Sequence, residues 1–444
     1  MEIKTMKHLL RRLAPSLAAS IAMIGGPALA EEPTLVTAPT PAYGEVAAPA
    51  TPPTPLAIAV APPAGATVRL TPNGQFMARF RHFEGHDFAP GNVMNAVTQR
   101  ARAGLRMELG DVSAFVEIQD VRIWGEETDT LGDFSANGLD LHQGFVAVQL
   151  TDGLKLTVGR QEVNWLNQRL VGSVAWIEQA RSLDAAHIAY VSADGAMTVN
   201  AMYARTRNGI AVDETRPEHF MGAMWQYKID PAFVPALIAI IDLNGPTDRT
   251  RITAGLHATG ALDFGLTYEL EAYLQAGSIG DSDIMAYLLA FHARQTLKDF
   301  ALKPYLELRA EVVSGDSDLS DNTTGSFDTL FATNHKFYGE MDFFLNLPAN
   351  TSQRGLVDLA AEVGLRPHTN VSLALAGHVF QTAQSRGGPS DFGTELDLIM
   401  EWRPIKPLRL DFVYSAFIGG DAFTGGNANA LVEHFVYSTA QVVF

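Results

Sequence analysis

From Leu262 to Val313 the chain alternates apolar and polar residues almost one for one. Leu262, Phe264, Leu266, Tyr268, Leu270, Ala272 and Leu274 are interleaved with Asp263, Thr267, Glu269, Glu271 and Gln275. Met285, Tyr287, Leu289, Phe291 and Ala293 alternate with a set that includes His292 and Arg294, and Leu306, Leu308, Ala310 and Val312 with Glu307, Arg309 and Glu311. A period of two places successive side chains on opposite faces of a β-strand. The runs reach about ten residues or more, the length a tilted strand needs to cross a bilayer, where strands of soluble sheets average about five or six. Apolar residues facing lipid, opposite charged residues facing a lumen, are what a transmembrane β-barrel requires.

The pattern starts at Gln75 and continues to the C-terminus, giving about eighteen strands, an even number as in bacterial single-chain barrels. Short connections (Gly110-Asp111, Thr151-Asp152, Ser192–Gly195, Pro404–Lys406) alternate with long ones (84–95, 124–138, 163–182, 314–353). Short periplasmic turns and long external loops follow that alternation. The expected fold is therefore all-β, a transmembrane antiparallel up-and-down barrel over residues 73–444. Only 18% of residues are charged against 47% hydrophobic, which suits a wall that faces lipid better than one that faces water. Phe444 closes the last alternating strand and resembles the signal read by the barrel-insertion machinery. That machinery, outer-membrane lipid and lipopolysaccharide are the expected partners.

Met1–Ala30 has the parts of a secretory signal: Lys4, Lys7, Arg11 and Arg12, an apolar Leu13–Ile24, and Ala28-Leu29-Ala30 as cleavage site. Residues 31–72, rich in Pro and Ala, are expected to form a disordered periplasmic linker. A net charge of −17 argues against a nucleic-acid partner, and the absence of cysteine removes disulfide and thiol chemistry.

Parity along the strands turns Arg79 and Arg81 on the first strand, and Arg100, Arg102 and Arg106 on the second, toward the lumen. Five arginines on adjacent strands make a basic patch, and the planar guanidinium fork pairs bidentately with carboxylates. They are the expected lining of a selective constriction. Lys155, Arg294 and Arg309 share the inward parity, as do the acids Glu108, Glu269, Glu271, Glu307, Glu311 and Glu362, so the lumen is mixed in charge. Ring-like arrangements of charge set selectivity in a narrow pore; the alternative is that these groups pair across strands and hydrate the interior. His82, Glu84, His86 and Asp87, and separately Asp316, Asp318 and Asp321, have spacings that could hold a metal, but they lack a zinc or EF-hand pattern. No metal or cofactor is expected. The 314–353 loop is long enough to serve as a lid or plug.

Three stretches, QRARAGLRMELGDVSAFVEIQDVRIW (99–124), residues 139–190 with LKLTVGRQEVNWLNQRLVGSVAWIEQARSLDAAHIAY, and SGDSDLSDNTTGSFDTLFATNHKFYGEMDFF (314–344), resemble the alginate-export family of outer-membrane channels. GTELDLIMEWRP near the end extends the likeness over nearly the whole barrel. The resemblance implies an eighteen-stranded monomeric barrel with an arginine-rich constriction that passes secreted polyuronate, working beside periplasmic polysaccharide-secretion proteins. It adds Arg160, Arg169 and Arg181 to the pore candidates. Parity alone turns Arg160 outward beside Val158, so either a bulge lies there or the residue is off the pore. The expected function is a passive channel of the bacterial outer membrane for anionic polysaccharide or small anions. The alternatives are a general diffusion porin and, from another class, an outer-membrane hydrolase using His257 or His292.

Overall fold

The computed structural model describes residues 67–85, 93–126, 139–207, 218–425 and 432–444; the expected signal sequence, and the expected linker as far as residue 66, lie outside them. The strands are β1 (Arg69–Glu84), β2 (Val93–Leu109), β3 (Val112–Ile123), β4 (Leu139–Thr151), β5 (Leu154–Gln161) and β6 (Leu183–Val191). They continue as β7 (Met197–Arg207), β8 (Glu218–Tyr227), β9 (Val234–Asn244), β10 (Arg249–Ala261), β11 (Leu266–Ile279), β12 (Ser282–Thr296) and β13 (Tyr305–Val313). After the two-residue β14 (Thr323–Thr324) come β15 (Leu356–His368), β16 (Val371–Gln381), β17 (Asp391–Ile405), β18 (Leu408–Gly419) and β19 (Val432–Val443). β14 only touches the end of β12, in parallel. The other eighteen form an antiparallel wall that closes where β1 pairs with β19, Gln75 opposite Val443. Closure leaves no sheet edge unpaired, which lipid would not tolerate.

The wall begins at Arg69, a few residues before the expected 73. β11 begins at Leu266 rather than Leu262, because Leu262–Gly265 form a turn: the Gly265 N–H donates to the Leu262 carbonyl at 3.0 Å, with Gly265 at φ +100°. β13 begins at Tyr305, after a turn that Leu297 closes onto the Pro304 carbonyl at 2.9 Å. Leu270, Leu274, Met285, Leu289, Phe291 and Leu308 stand exposed on the outer face, as the alternation requires.

The inner face is not uniformly polar. On β12 the inward residues Ile284, Ala286, Leu288 and Ala290 are apolar and buried, and the last three join Phe220, Met224, Ile238, Ile240, Phe380 and Phe417 in one hydrophobic cluster. A lumen lined only by hydrated groups, as first expected, would not bury such side chains. They are covered because two loops enter the barrel.

Candidate functional site

The β5–β6 connection (162–182) turns back into the lumen. Its Val163, Trp165, Leu170 and Val171 are buried in the same cluster as Met202, Phe220 and Ile240 of the wall. Gly222 on β8 leaves room for it: a Cβ there would lie 3.1 Å from the Trp165 ring and 3.0 Å from Ile240. The β13–β15 connection (314–355) also folds inward, with Phe327, Phe337, Tyr338, Met341, Phe344 and Leu347 buried, and Phe344 packs on Phe380 at a ring separation of 4.7 Å. Burying one such side chain contributes roughly 1.5–3 kcal/mol, so several of them hold a loop inside the wall. The two loops are joined. Val171 and Phe331 form a parallel bridge, Gly172 N–H donates to Phe331 O at 2.8 Å, and Phe331 N–H to Leu170 O at 3.0 Å.

The basic wall of β1 and β2 meets the first loop. Arg79, 3% exposed, donates to the Trp176 carbonyl at 2.8 Å and to Thr439 Oγ1 at 2.9 Å, and its guanidinium lies 3.8 Å from the centre of the Trp176 ring. Arg81 and Thr98 both reach Glu178, at 2.8 and 2.7 Å. Arg100, 2% exposed, donates to the carbonyls of Ala175, Ile177 and Glu178. Arg102 is held by Gln119 at 2.7 Å and Glu162 at 3.0 Å. Four of the five clustered arginines thus grip the loop or its root, and Arg79 and Arg100 are covered by it. Parity reported their direction correctly; it carries no information about a partner some 75 to 99 positions away. Arg106 alone stays uncommitted, over the Phe115 ring at 5.0 Å. Burial would raise the Glu178 carboxyl, but Arg81, Arg79 and the Thr98 hydroxyl outweigh it and hold the group below the usual carboxylate range.

Trp176 links the loops a second time. Its ring stacks on His335 at 3.6 Å, and its indole N–H donates to Asp342 at 2.5 Å. His335 faces Asp342 at 2.7 Å and Glu340 at 3.6 Å. Burial disfavours the imidazolium, but the two carboxylates outweigh that cost and raise its pKa above the ordinary value.

On the opposite wall, Arg169 from the first loop enters between Glu271 (3.2 Å) and Glu311 (2.9 Å), lies 3.4 Å over the Phe337 ring and donates to the Tyr338 hydroxyl at 3.0 Å. Burial opposes its charge, and Glu271 and Glu311 more than compensate, holding the proton tighter than usual. His292 lies 2.7 Å from Glu311, and His257 2.8 Å from Glu269, so both histidines of the hydrolase reading are already hydrogen-bonded to carboxylates. Arg294 and Arg309 share Glu307 and Glu362, the Arg309–Glu362 contact being 3.1 Å. Here the cross-strand pairing alternative describes the lumen well. Among the described residues Arg181 has no carboxylate partner; it donates to the Gly172 carbonyl at 3.1 Å and faces the Phe331 ring at 5.1 Å, and burial lowers its pKa to about 10.

Arg160 is corrected. The β4–β5–β6 register runs unbroken through it, opposite Gly144 and Asp184, so it stands on the outer face, 3.5 Å from Asp184 and 3.9 Å from Asp140. His82 bonds Asn95 at 2.8 Å, while His86 and Asp87 lie outside the described residues. Asp316, Asp318 and Asp321 cap backbone N–H groups of their own turns.

Between the turn at Gly110-Asp111 and a roof formed by Glu162–Trp165 lies a cavity of about 910 Å³, lined by Arg106, Glu108, Phe145, Lys155, His187 and Asn200 among others. Glu108 pairs with Arg69 at 3.5 Å, and Glu162 with Arg102 and His142. Among the described residues, Arg106 and Lys155 have no carboxylate partner. Sequence reasoning missed the inward course of residues 162–182, and with it Trp165, Trp176 and Glu178. The signal was present: Val163, Trp165, Leu170, Val171, Val174 and Trp176 are too apolar for a solvated external loop.

Residues 69–436 match the alginate export family. A search of curated proteins gives no significant match. Among solved structures the chain is similar to OccK8 (OprE) of Pseudomonas aeruginosa, with 11% identity and a TM-score of 0.55 over 84% of this chain and 98% of that one. It is also similar to OccK3 (OpdO) of the same organism (15%, TM-score 0.54, 84% and 96%) and to OccAB4 of Acinetobacter baumannii (13%, 0.56, 86% and 100%). At such identities the likeness is one of fold. With the family match over nearly the whole closed wall, the chain belongs to the alginate export family and is a β-barrel channel of the bacterial outer membrane.

Proposed function

We propose that this channel passes anionic solutes by passive diffusion along the β2–β5 side of the lumen. The observation that carries the reading is the imbalance in the 910 Å³ cavity: its Glu108 and Glu162 are matched by cations, which leaves Arg106 and Lys155 against one remaining acid, Asp111 at the turn. A low-dielectric wall bearing unmatched cations focuses a positive potential on the path and raises the local concentration of anions. Membership of the family extends the same chemistry to a carboxylated polysaccharide. With both loops docked, the free space suits small anions; threading a polyuronate chain requires the two joined loops to withdraw together.

Reversal potentials in planar bilayers under a salt gradient test this. The expected result is anion preference, reduced or inverted by Arg106→Glu with Lys155→Glu. Cation preference in the parent protein, unchanged by the double substitution, would return the channel to a general diffusion porin. Oligouronate added to one chamber should block the current if a polymer enters.

A further inference from the structure

The outer wall carries a feature that conduction does not use. On β7 to β10 the outward residues Ala201, Ala223, Ala239 and Ala254 are directly opposite one another, strand to strand. The row below them is bulky, with Trp225, Leu237 and Leu256, and the row above is Met221, Ile241 and Ile252. The result is an apolar groove of about 470 Å³ along the lipid-facing surface, floored by Ala223, Ala239 and Ala254.

Four residues nearer the external end, about 13 Å along a strand, the same face turns polar. Arg160, Asp184, Arg205 and His219 are successive cross-strand neighbours on β5 to β8. Within the row itself two arginines stand against one acid, Asp184, and a second acid, Asp140 of β4, reaches only its Arg160 end, so Arg205 has no carboxylate contact among the described residues. The Arg160 contacts to Asp184 (3.5 Å) and Asp140 (3.9 Å) are long and exposed, so they are weak and open to exchange. Tyr203 engages His219 Nδ1 at 2.8 Å, leaving Nε2 for another partner. A surface that is greasy for an acyl chain's width, with cations above at interface height, is complementary to an anionic lipid.

We propose that this face binds a phosphorylated, multiply acylated lipid of the outer leaflet, one acyl chain in the alanine groove and a phosphate on Arg160, Arg205 and His219. The test is native mass spectrometry of the refolded full chain in micelles, titrated with bis-phosphorylated lipid A, its dephosphorylated form and phosphatidylcholine. The phosphorylated lipid is expected to be retained most strongly. Arg160→Glu and Arg205→Glu should each weaken it about fivefold, the worth of one interfacial cation. Ala239→Trp should displace all three lipids, while Ala416→Trp, an outward alanine on β18, should displace none. Equal retention of the dephosphorylated lipid, indifference to both arginine changes, or equal loss with Ala416→Trp would each overturn the proposal. Heat-modifiability on gels confirms that each variant is folded, and Ala239→Leu replaces Ala239→Trp if the larger side chain prevents folding.

Discussion

Arg169 is the residue on which most of the interior converges. It is the sole cation between Glu271 and Glu311 in the bonds described above, and both carboxylates are buried with it. Removing one member of a buried ion pair typically costs about 3–5 kcal/mol, because the remaining charges are left without water. Arg169→Met should therefore release the first loop, raising single-channel conductance and freeing Lys336, which donates to the Asn167 carbonyl at 3.0 Å, for cleavage by trypsin; unchanged conductance and proteolysis would show that packing alone holds the loop. Glu178 and His335 set the pH range of the same docking. The Glu178 contribution is present above its unfolded pKa of 4.5 and is lost as pH falls through its depressed folded value. The His335 contribution is complete below 6.5 and is lost as pH rises through its raised folded value. Conductance recorded against pH should be lowest between these limits and rise on both sides. Glu178→Gln should flatten the acid limb and His335→Gln the alkaline limb.

At the scale of elements, the strands were legible and the loops were not, for one physical reason. Lipid imposes its demand at every second position, so Leu270, Leu274, Met285 and Leu289 announce their face without help from any partner. The same parity rule placed Arg160 on the outer face, against what the resemblance implied. An inward side chain answers only to whatever it meets. Arg79 and Arg100 look like pore arginines until Ala175–Glu178 arrives beneath them, and Ile284 and Leu288 look misplaced until the 314–355 loop covers the inner wall. Glycine marks where the loops fit closest. Gly339, at φ +81°, would place a Cβ 2.5 Å from Glu395 Oε1, and Gly222 would crowd Trp165. Gly222→Leu should cost about 1–3 kcal/mol as an overpacked contact. A lowered unfolding temperature with increased fluorescence quenching by added iodide would report it, and an unchanged melt would deny that the loop sits there.

For the whole molecule, the wall and its contents are separable. Apart from the two-residue β14, each ladder from β1 to β19 is made by neighbours in the wall, and Val313 already pairs with Leu356 across the base of the long loop. Replacing residues 327–347 with a short Gly-Ser connector should leave the barrel heat-modifiable on gels while raising conductance several-fold. A variant that fails to form a barrel would mean that the interior cluster is required to close the sheet.

The strip where Val171 and Phe331 run side by side has a kinetic corollary. Backbone bonds at that strip, with Trp176 stacked on His335 nearby, make the two inserted segments one mechanical body. Neither can leave its seat without dragging or tearing the other. Current traces should then step between two discrete levels, with no third state of intermediate height, and a cut through either segment should turn the steps into graded noise.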